Sequence, residues 1–347
     1  MKLPNRVQTA YFLIVLGALF FAYRWYAQPL KEVEARRPYT VLRGEIFHTF
    51  YQIKYDRAED YAEDVDTIFK VFSHSLNPFE PTSLISAINR NESAETDSML
   101  RHVWRAAERI SEASHGRYDV TCSPLINAWG FGFDSLARLD DHVLDSLCKF
   151  VGYRSVYLSG DRLIKRDRRT IIDLSSISKG YCSDLVGQML QARGAQSYMV
   201  ELGGEIAFSG VNPQGTPWTV GINKPIEDPV GFNQDLELII SLDRPRGGLA
   251  TSGNYRNYKV VNGRKVAHTI DPFTGYPVQT DVLSATILAP SCMLADGLAT
   301  ACMTMSSDDV PEFLAQFEDV EYLLILSGED DEFITKMSEG FRRLVVR

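Results

Sequence analysis

A chain of 347 residues, 45% hydrophobic and 23% charged, has ordinary globular composition, enough for a sizeable core and against disorder as the default. Its net charge of −9, from 36 basic and 45 acidic residues, argues against non-specific nucleic-acid binding, which needs clustered Lys and Arg against phosphate. The five cysteines (Cys122, Cys148, Cys182, Cys292 and Cys302) form no CxxC pair and no zinc spacing, and their small or apolar neighbours point to buried free thiols rather than a disulfide framework.

The N-terminus opens with Lys2 and Arg6 and then carries no charge from Val7 to Tyr23. A basic flank before an apolar run is the pattern of an export signal. No strong small-x-small cleavage site follows, and Tyr23, Trp25 and Tyr26 suit a membrane interface. Residues 1–30 are therefore expected to be an uncleaved signal anchor that leaves the rest of the chain outside the cytoplasm. A buried N-terminal helix is the weaker reading, because the run is apolar on all faces. The polar stretch 31–39 reads as a linker, and 40–347 as the folded domain.

Residues 40–56, rich in β-branched and aromatic side chains, predict one or two strands. Tyr61, Val65, Ile68, Phe69 and Phe72 recur at helical spacing within 57–76. A second amphipathic helix spans 96–116 and is stopped by Gly116. A helix near 140–150 leads to short strands at 155–158 and 170–174, with the basic run "KRDRR" (165–169) as a solvated turn between them. A third strong helix covers 178–194. Strands are then expected near 197–201, 205–210, 217–223, 235–242, 257–261, 265–270 and 282–289. A helix from Ser291, one more short helix and a terminal hairpin complete the chain. Helices and strands mix without strict βαβ alternation, so the fold class is α+β, in layers. Neither GxGxxG after a strand nor GxxxxGK[ST] occurs, so the common nucleotide folds are not indicated.

Polar groups gather in four places. In "IIDLSSISKGYCSD", Asp173 ends the expected strand, and Ser175, Ser176 and Ser178 are candidate caps for the helix that follows. Lys179 in the first turn opposes the helix dipole, which either a bound phosphate or simple solvation explains. Gly203 and Gly204 allow a tight hairpin or a close ligand approach. Further on, Asn262–Gly263 is a hairpin turn, and His268 lies near Asp271 at an apolar strand end. In "APSCMLADGLATA", Asp296 and Thr300 are four residues apart on one helix face. These are hard oxygen donors suited to Mg²⁺ or Ca²⁺. A buried Lys or Arg partner for Asp296 is the equal alternative.

Taken in order, several stretches resemble the FAD:protein FMN transferases of the ApbE family. They are "YDVTCSPLINAWGFG" (118–132), "DLSSISKGYCSD" (173–184), "VELGGEIAFSG" with "NPQGTPWTVGINKP" (200–225), "TSGNYRNY" (251–258), "HTIDPFTGYPV" (268–278) and "APSCMLADGLATA" (289–301). The resemblance runs from about Val41 to the C-terminus. It implies a layered α/β sandwich related to the T-fold, with mixed or antiparallel sheets. It further implies a Mg²⁺-dependent enzyme on the periplasmic side that splits FAD. Such an enzyme joins FMN through a phosphoester to a Thr or Ser hydroxyl of an acceptor protein and releases AMP. Carried over by motif, Asp296, Thr300 and the Ser176 carbonyl would hold the metal. Arg117, Tyr118, Asp119, Asp173, Lys179 and Ile270 would contact flavin and adenine, and His268 would take or orient the acceptor proton. Phe47 and Phe79 occupy the isoalloxazine positions where the family usually has Met and Tyr. His48 replaces the usual Gly, and Phe273 stands where many members carry a base. The alternatives are hydrolysis of FAD to FMN and AMP, which the same metal site would serve, and flavin binding without turnover, against which Asp296, Thr300 and His268 argue, because a pure binder has no need of the metal.

Overall fold

The computed structural model describes residues 38–131, 140–226, 235–254, 258–261, 264–328 and 332–346. The expected signal anchor, most of the expected linker and the Asn262–Gly263 turn lie outside the described residues. No helix among the described residues is long and apolar enough to cross a membrane.

The described residues start with β1 (Thr40–Ile46) and β2 (Thr49–Tyr55). Helices α1 (Ala62–Leu76), α2 (Leu84–Asn89), α3 (Ser98–Ala113), α4 (Ser123–Ala128) and α5 (Asp141–Cys148) follow. A ribbon of β3 (Val156–Ser159) and β4 (Arg162–Lys165) precedes α6 (Ser175–Ala192). Then come β5 (Tyr198–Leu202), β6 (Glu205–Ser209), β7 (Trp218–Asn223), β8 (Leu236–Leu242), β9 (Arg246–Gly253), β10 (Tyr258–Val261), β11 (Arg264–Ala267) and β12 (Val282–Ala289). The chain closes with α7 (Cys292–Cys302), α8 (Val310–Leu314), β13 (Glu321–Ser327), β14 (Phe333–Met337) and α9 (Glu339–Arg342).

Eight strands form one sheet in the order β1-β2-β5-β6-β9-β12-β13-β14. Every neighbouring pair in it is antiparallel, so the expected mixed or antiparallel character resolves to antiparallel. The central strands of the sheet are buried on both faces, and their side chains sort by the two-residue period of a strand. Val200, Leu202, Ala207, Ala250, Ile287 and Leu324 face the large core under the helices. Met199, Ile206, Phe208, Leu249, Leu288 and Leu323 face a second core closed by Trp218, Ile222 and Ile240 of the β7–β8 ribbon and by Phe341. On the helical side, α3 presents Leu100, Val103, Trp104, Ala107 and Ile110 along one stripe, and the Asp97 carboxylate caps it by accepting from Leu100 N at 2.8 Å. Each such large side chain contributes about 1.5–3 kcal/mol when fully buried.

Two local expectations are corrected. No strand is expected between residues 242 and 257, yet β9 sits in the middle of the sheet between β6 and β12. Its glycines answer a close approach: a Cβ on Gly248 would lie 2.1 Å from Cys292 N at the start of α7. Residues 170–174 are not a strand, although 156–158 of the expected 155–158 does belong to β3. Their β-branched run is held instead by a side chain. Asn89 Oδ1 accepts from Ile172 N at 2.8 Å, and Asn89 Nδ2 donates to the Ile172 carbonyl at 2.8 Å. Asp173 therefore ends an extended segment, and its backbone N–H donates to the Val120 carbonyl at 2.8 Å.

Candidate active site

Helices α6 and α7 pack closely, because Gly180 lets the backbones meet. A Cβ there would lie 2.3 Å from the Cys292 carbonyl oxygen. Asp184 of α6 ties the same contact by accepting from Cys292 N and Met293 N, both at 2.9 Å, at the α7 N-terminus. Burial pushes the Asp184 carboxyl up to about 6.

This packing aims the Asp296–Thr300 face of α7 at the first turn of α6. Gly180 N donates to Asp296 Oδ2 at 2.9 Å. Thr300 Oγ1 lies 3.4 Å from the Ser176 carbonyl oxygen and 3.3 Å from Ser252 Oγ. The Tyr118 hydroxyl shares a 2.8 Å hydrogen bond with Ser176 Oγ. Helix α6 begins at Ser175, earlier than expected, with Leu174 as its N-cap and no side-chain cap. The expected serine caps are thus corrected. Ser175 and Ser176 lie inside the first turn, and Asp173 Oδ1 accepts from Ser175 N at 2.9 Å.

Lys179 projects into the same corner, with Nζ 3.2 Å from Glu205 Oε1. Glu205 is 6% exposed and Asp296 3% exposed. Burial pushes the Glu205 carboxyl up to about 7, against the pull of the Lys179 ammonium. Asp296 is raised in the same way and for the same reason. Burial acts to lower Lys179, but Asp296 and Glu205 outweigh it and hold the ammonium above its ordinary range. Both sequence alternatives for Asp296 therefore have a physical basis, since the half-buried Lys179 is drawn to it and oxygen donors stand near it.

The residues present fit a hard divalent cation. Three oxygens of different kinds converge, from a carboxylate, a hydroxyl and a carbonyl. Two buried carboxyl groups, Asp296 and Glu205, face the one Lys179 ammonium, so that full ionisation would leave an excess negative charge. Glu205 Oε2 is buried without a hydrogen-bond partner. Among the described residues no group of three His, Cys, Asp or Glu side chains forms a softer metal site.

From this corner a cleft of about 510 Å³ opens, with Lys179, Ser175 and Ser178 on one side. Phe47, Phe69, Phe72 and Phe79 make it apolar, and Asp66 and Lys70 stand at its rim. Phe47 packs on Phe72, with ring centroids 5.0 Å apart, and His48 meets Phe79 edge-on at 6.0 Å. Phe47 and His48 form the two-residue turn between β1 and β2, with φ of 51° and 58°. Two-residue hairpins of this hand favour Asn-Gly, because left-handed φ strains a larger residue. Phe79 is 55% exposed.

The remaining candidates lie apart from that cleft. Arg117 pairs with Asp309 at 2.8 Å and lines a second cleft of about 630 Å³ with Asp271, Phe273 and Tyr276. The Asp119 carboxylate accepts from Thr121 N, Thr121 Oγ1 and Tyr153 N at 2.6–2.7 Å, so its hydrogen-bonding capacity goes into the protein itself. Ile270 is buried, and its carbonyl accepts from Cys122 Sγ at 3.8 Å. The His268 ring stands edge-on to Phe131 at 6.4 Å. Beside it, Thr269 Oγ1 donates to Asn254 Oδ1 at 2.8 Å, and Trp129 Nε1 donates to the Gly275 carbonyl at 2.8 Å, which pins the following turn.

Three polar residues of the site escape the sequence reading: Glu205, Asp184 and Ser252. Glu205 follows a Gly-Gly turn, where an acid ordinarily faces water. The one available signal is the buried run behind it, since the next three residues of β6 are all buried.

A profile of the ApbE family matches residues 47–324. The FAD:protein FMN transferase of Haemophilus influenzae is 33% identical over 320 residues, covering 87% of this chain and 90% of that protein. The FAD:protein FMN transferase of Vibrio cholerae is 34% identical, covering 87% and 91%. Among solved structures, the flavin transferase ApbE from Vibrio cholerae superposes with a TM-score of 0.78 at 31% identity, covering 88% of this chain and 99% of that one. The apo flavinyl transferase ApbE of Pseudomonas stutzeri gives 0.77 at 28% identity, covering 88% and 96%. Matched along most of its length in sequence and in fold, the chain belongs to the ApbE family.

Proposed function

We propose that the chain is a Mg²⁺-dependent FAD:protein FMN transferase, held at the membrane by residues 1–30 with its folded domain outside the cytoplasm. The observation that carries this reading is the junction at Lys179, where the oxygen-lined corner of Asp296, Thr300 and Ser176 meets the aromatic cleft of Phe47 and Phe79. FAD has the same division, an anionic pyrophosphate beside a flat apolar ring.

Asp296, Thr300 and the Ser176 carbonyl would hold Mg²⁺. When bound, Mg²⁺ supplies charge neutralisation at the pyrophosphate and at the AMP it releases. The protein's own groups do the rest. Lys179 offers its ammonium to phosphate oxygens from the cleft wall. Phe47 and Phe79 give the isoalloxazine aromatic surface. His268 takes or orients the proton of the acceptor hydroxyl, and positioning for in-line attack supplies most of the remaining rate. The reaction exchanges a phosphoanhydride for a phosphoester: the acceptor oxygen bonds to the FMN phosphorus, the bond from that phosphorus to the bridging oxygen breaks, AMP leaves with that oxygen, and His268 takes or orients the acceptor proton.

Incubation with FAD and Mg²⁺, with and without a protein bearing an exposed Thr, tests the reading. Flavin fluorescence on the acceptor band together with equimolar AMP is the expected result. AMP and FMN formed equally with and without acceptor would make the chain an FAD hydrolase. Bound FAD without AMP would make it a flavin carrier.

A further inference from the structure

We infer that Glu205 is a positioning residue for the cation corner: by carrying the Lys179 ammonium, it leaves the Asp296 carboxylate open to a divalent cation. The inference rests on the metal reading proposed above and adds a residue to it. The Lys179 ammonium is attracted by two carboxylates, Glu205 at 3.2 Å and Asp296 across the corner. A cation arriving at Asp296 meets that ammonium as a competitor and as a repelling charge. Only a second anion that holds Lys179 resolves the conflict.

Glu205 is built for that task. It is the first residue of β6, directly after Gly203 and Gly204, whose φ values of 62° and 107° make a tight turn. Its backbone carbonyl accepts from Ser183 Oγ at 3.3 Å. Ser183 lies four residues after Lys179 on α6, so one helix face grips both ends of Glu205. Its Oε2 atom is buried without a partner. A carboxylate kept only to brace the fold would be poorly placed here, because a half-satisfied buried charge is expensive. Ionised, the three groups carry one net negative charge. A divalent cation turns this to one net positive charge, which suits an incoming pyrophosphate.

The test is calorimetric titration of Mg²⁺ into the full-length protein without FAD, for the wild type, Glu205→Gln, Lys179→Met, the double variant and Asp296→Asn. Thermal melting of each checks the fold. Glu205→Gln should weaken Mg²⁺ binding by roughly tenfold, because Lys179 then falls back on Asp296. Lys179→Met should tighten it. In the Met background Glu205→Gln should cost less than about threefold, since Glu205 then has no ammonium to hold. Equal losses in both backgrounds, or no loss in either, would overturn the role of Glu205. Should Glu205→Gln fail to fold, Lys179→Met decides alone, and unchanged or weaker Mg²⁺ binding would overturn the competition. Asp296→Asn separates the two levels. If it binds Mg²⁺ like the wild type, the cation site itself is wrong and this inference falls with it. If it loses Mg²⁺ while Glu205→Gln does not, only the role of Glu205 falls.

Discussion

The two ends of the candidate site are built on opposite principles. The oxygen-lined corner is dense: Asp296 and Glu205 are buried, and helices α6 and α7 touch backbone to backbone at Gly180. The aromatic cleft is open, its Phe79 is 55% exposed, and its turn keeps two bulky residues in left-handed conformations. A buried charge leaves little freedom, since each replacement strands a partner. An apolar wall needs only area and shape, and one aromatic ring can stand in for another. Of the four departures that the resemblance implies, Phe47, His48 and Phe79 line the cleft, Phe273 lines the second cleft beside Arg117, and none falls at Asp296 or Thr300.

If that contrast is right, the corner should be brittle and the cleft forgiving. Asp296→Ala should lower FMN transfer and AMP release by about 100-fold or more, with the melting temperature nearly kept. Transfer at the wild-type rate in Mg²⁺ would remove Asp296 from the chemistry. Gly180→Ala should cost about 2–3 kcal/mol by chemical denaturation, since its methyl would meet the Cys292 carbonyl, which has no room to move. A neutral result would mean that the two helices separate freely, and the corner would not be rigid.

A pH experiment probes the same packing. The Asp184 carboxyl stands at about 6 in the folded protein against an ordinary 3.8. Between those values the folded chain holds a proton that the unfolded chain has released. Its contribution to stability is therefore full below pH 3.8 and is lost as pH rises towards about 6. Melting temperatures across that window should fall more for the wild type than for Asp184→Asn. Parallel curves would dismiss Asp184 as the group responsible.

In the cleft the effects should be smaller. Phe79→Ala should weaken FAD several-fold, about 1 kcal/mol of lost stacking, while leaving AMP untouched. Phe79→Tyr should be neutral for both ligands. Equal losses of FAD and AMP would show that Phe79 merely packs its loop. His48→Gly should shift stability least, by a few tenths of a kcal/mol, because relief of the left-handed backbone is nearly offset by the freer unfolded chain. A large destabilisation would mean that the His48 ring braces Phe79 rather than decorating a strained turn.

The same division governs what could be read from the sequence. Helices with an apolar stripe, such as α1 and α3, were legible from spacing, as were strands of β-branched residues such as β12. Strand β9 was not, because its glycines serve the approach of α7, and nothing local records a helix that arrives some forty residues later. Residues 170–174 misled in the other direction: a β-branched run looked like a strand, but its partner is the side chain of Asn89. In the site, Asp296 and Thr300 stood out because a charge in an apolar helix demands a partner, and the family motifs named Ser176. Glu205 stayed hidden because its meaning depends on Lys179, which only the tertiary fold sets against it.

The grip of Asn89 on Ile172 has a consequence for how the molecule assembles. It helps to close a loop of 83 residues, together with Lys165 Nζ on the Asn89 carbonyl and Asn91 Nδ2 on the Arg168 carbonyl, just ahead of the segment that delivers Ser176 to the corner. The entropy of drawing together so long a loop must be met before these hydrogen bonds return anything. Such contacts belong late in folding, after local helices and hairpins have formed. The start of α6 should therefore be among the last parts of the domain to find its place, and the oxygen-lined corner a property of the finished chain that no early intermediate shares.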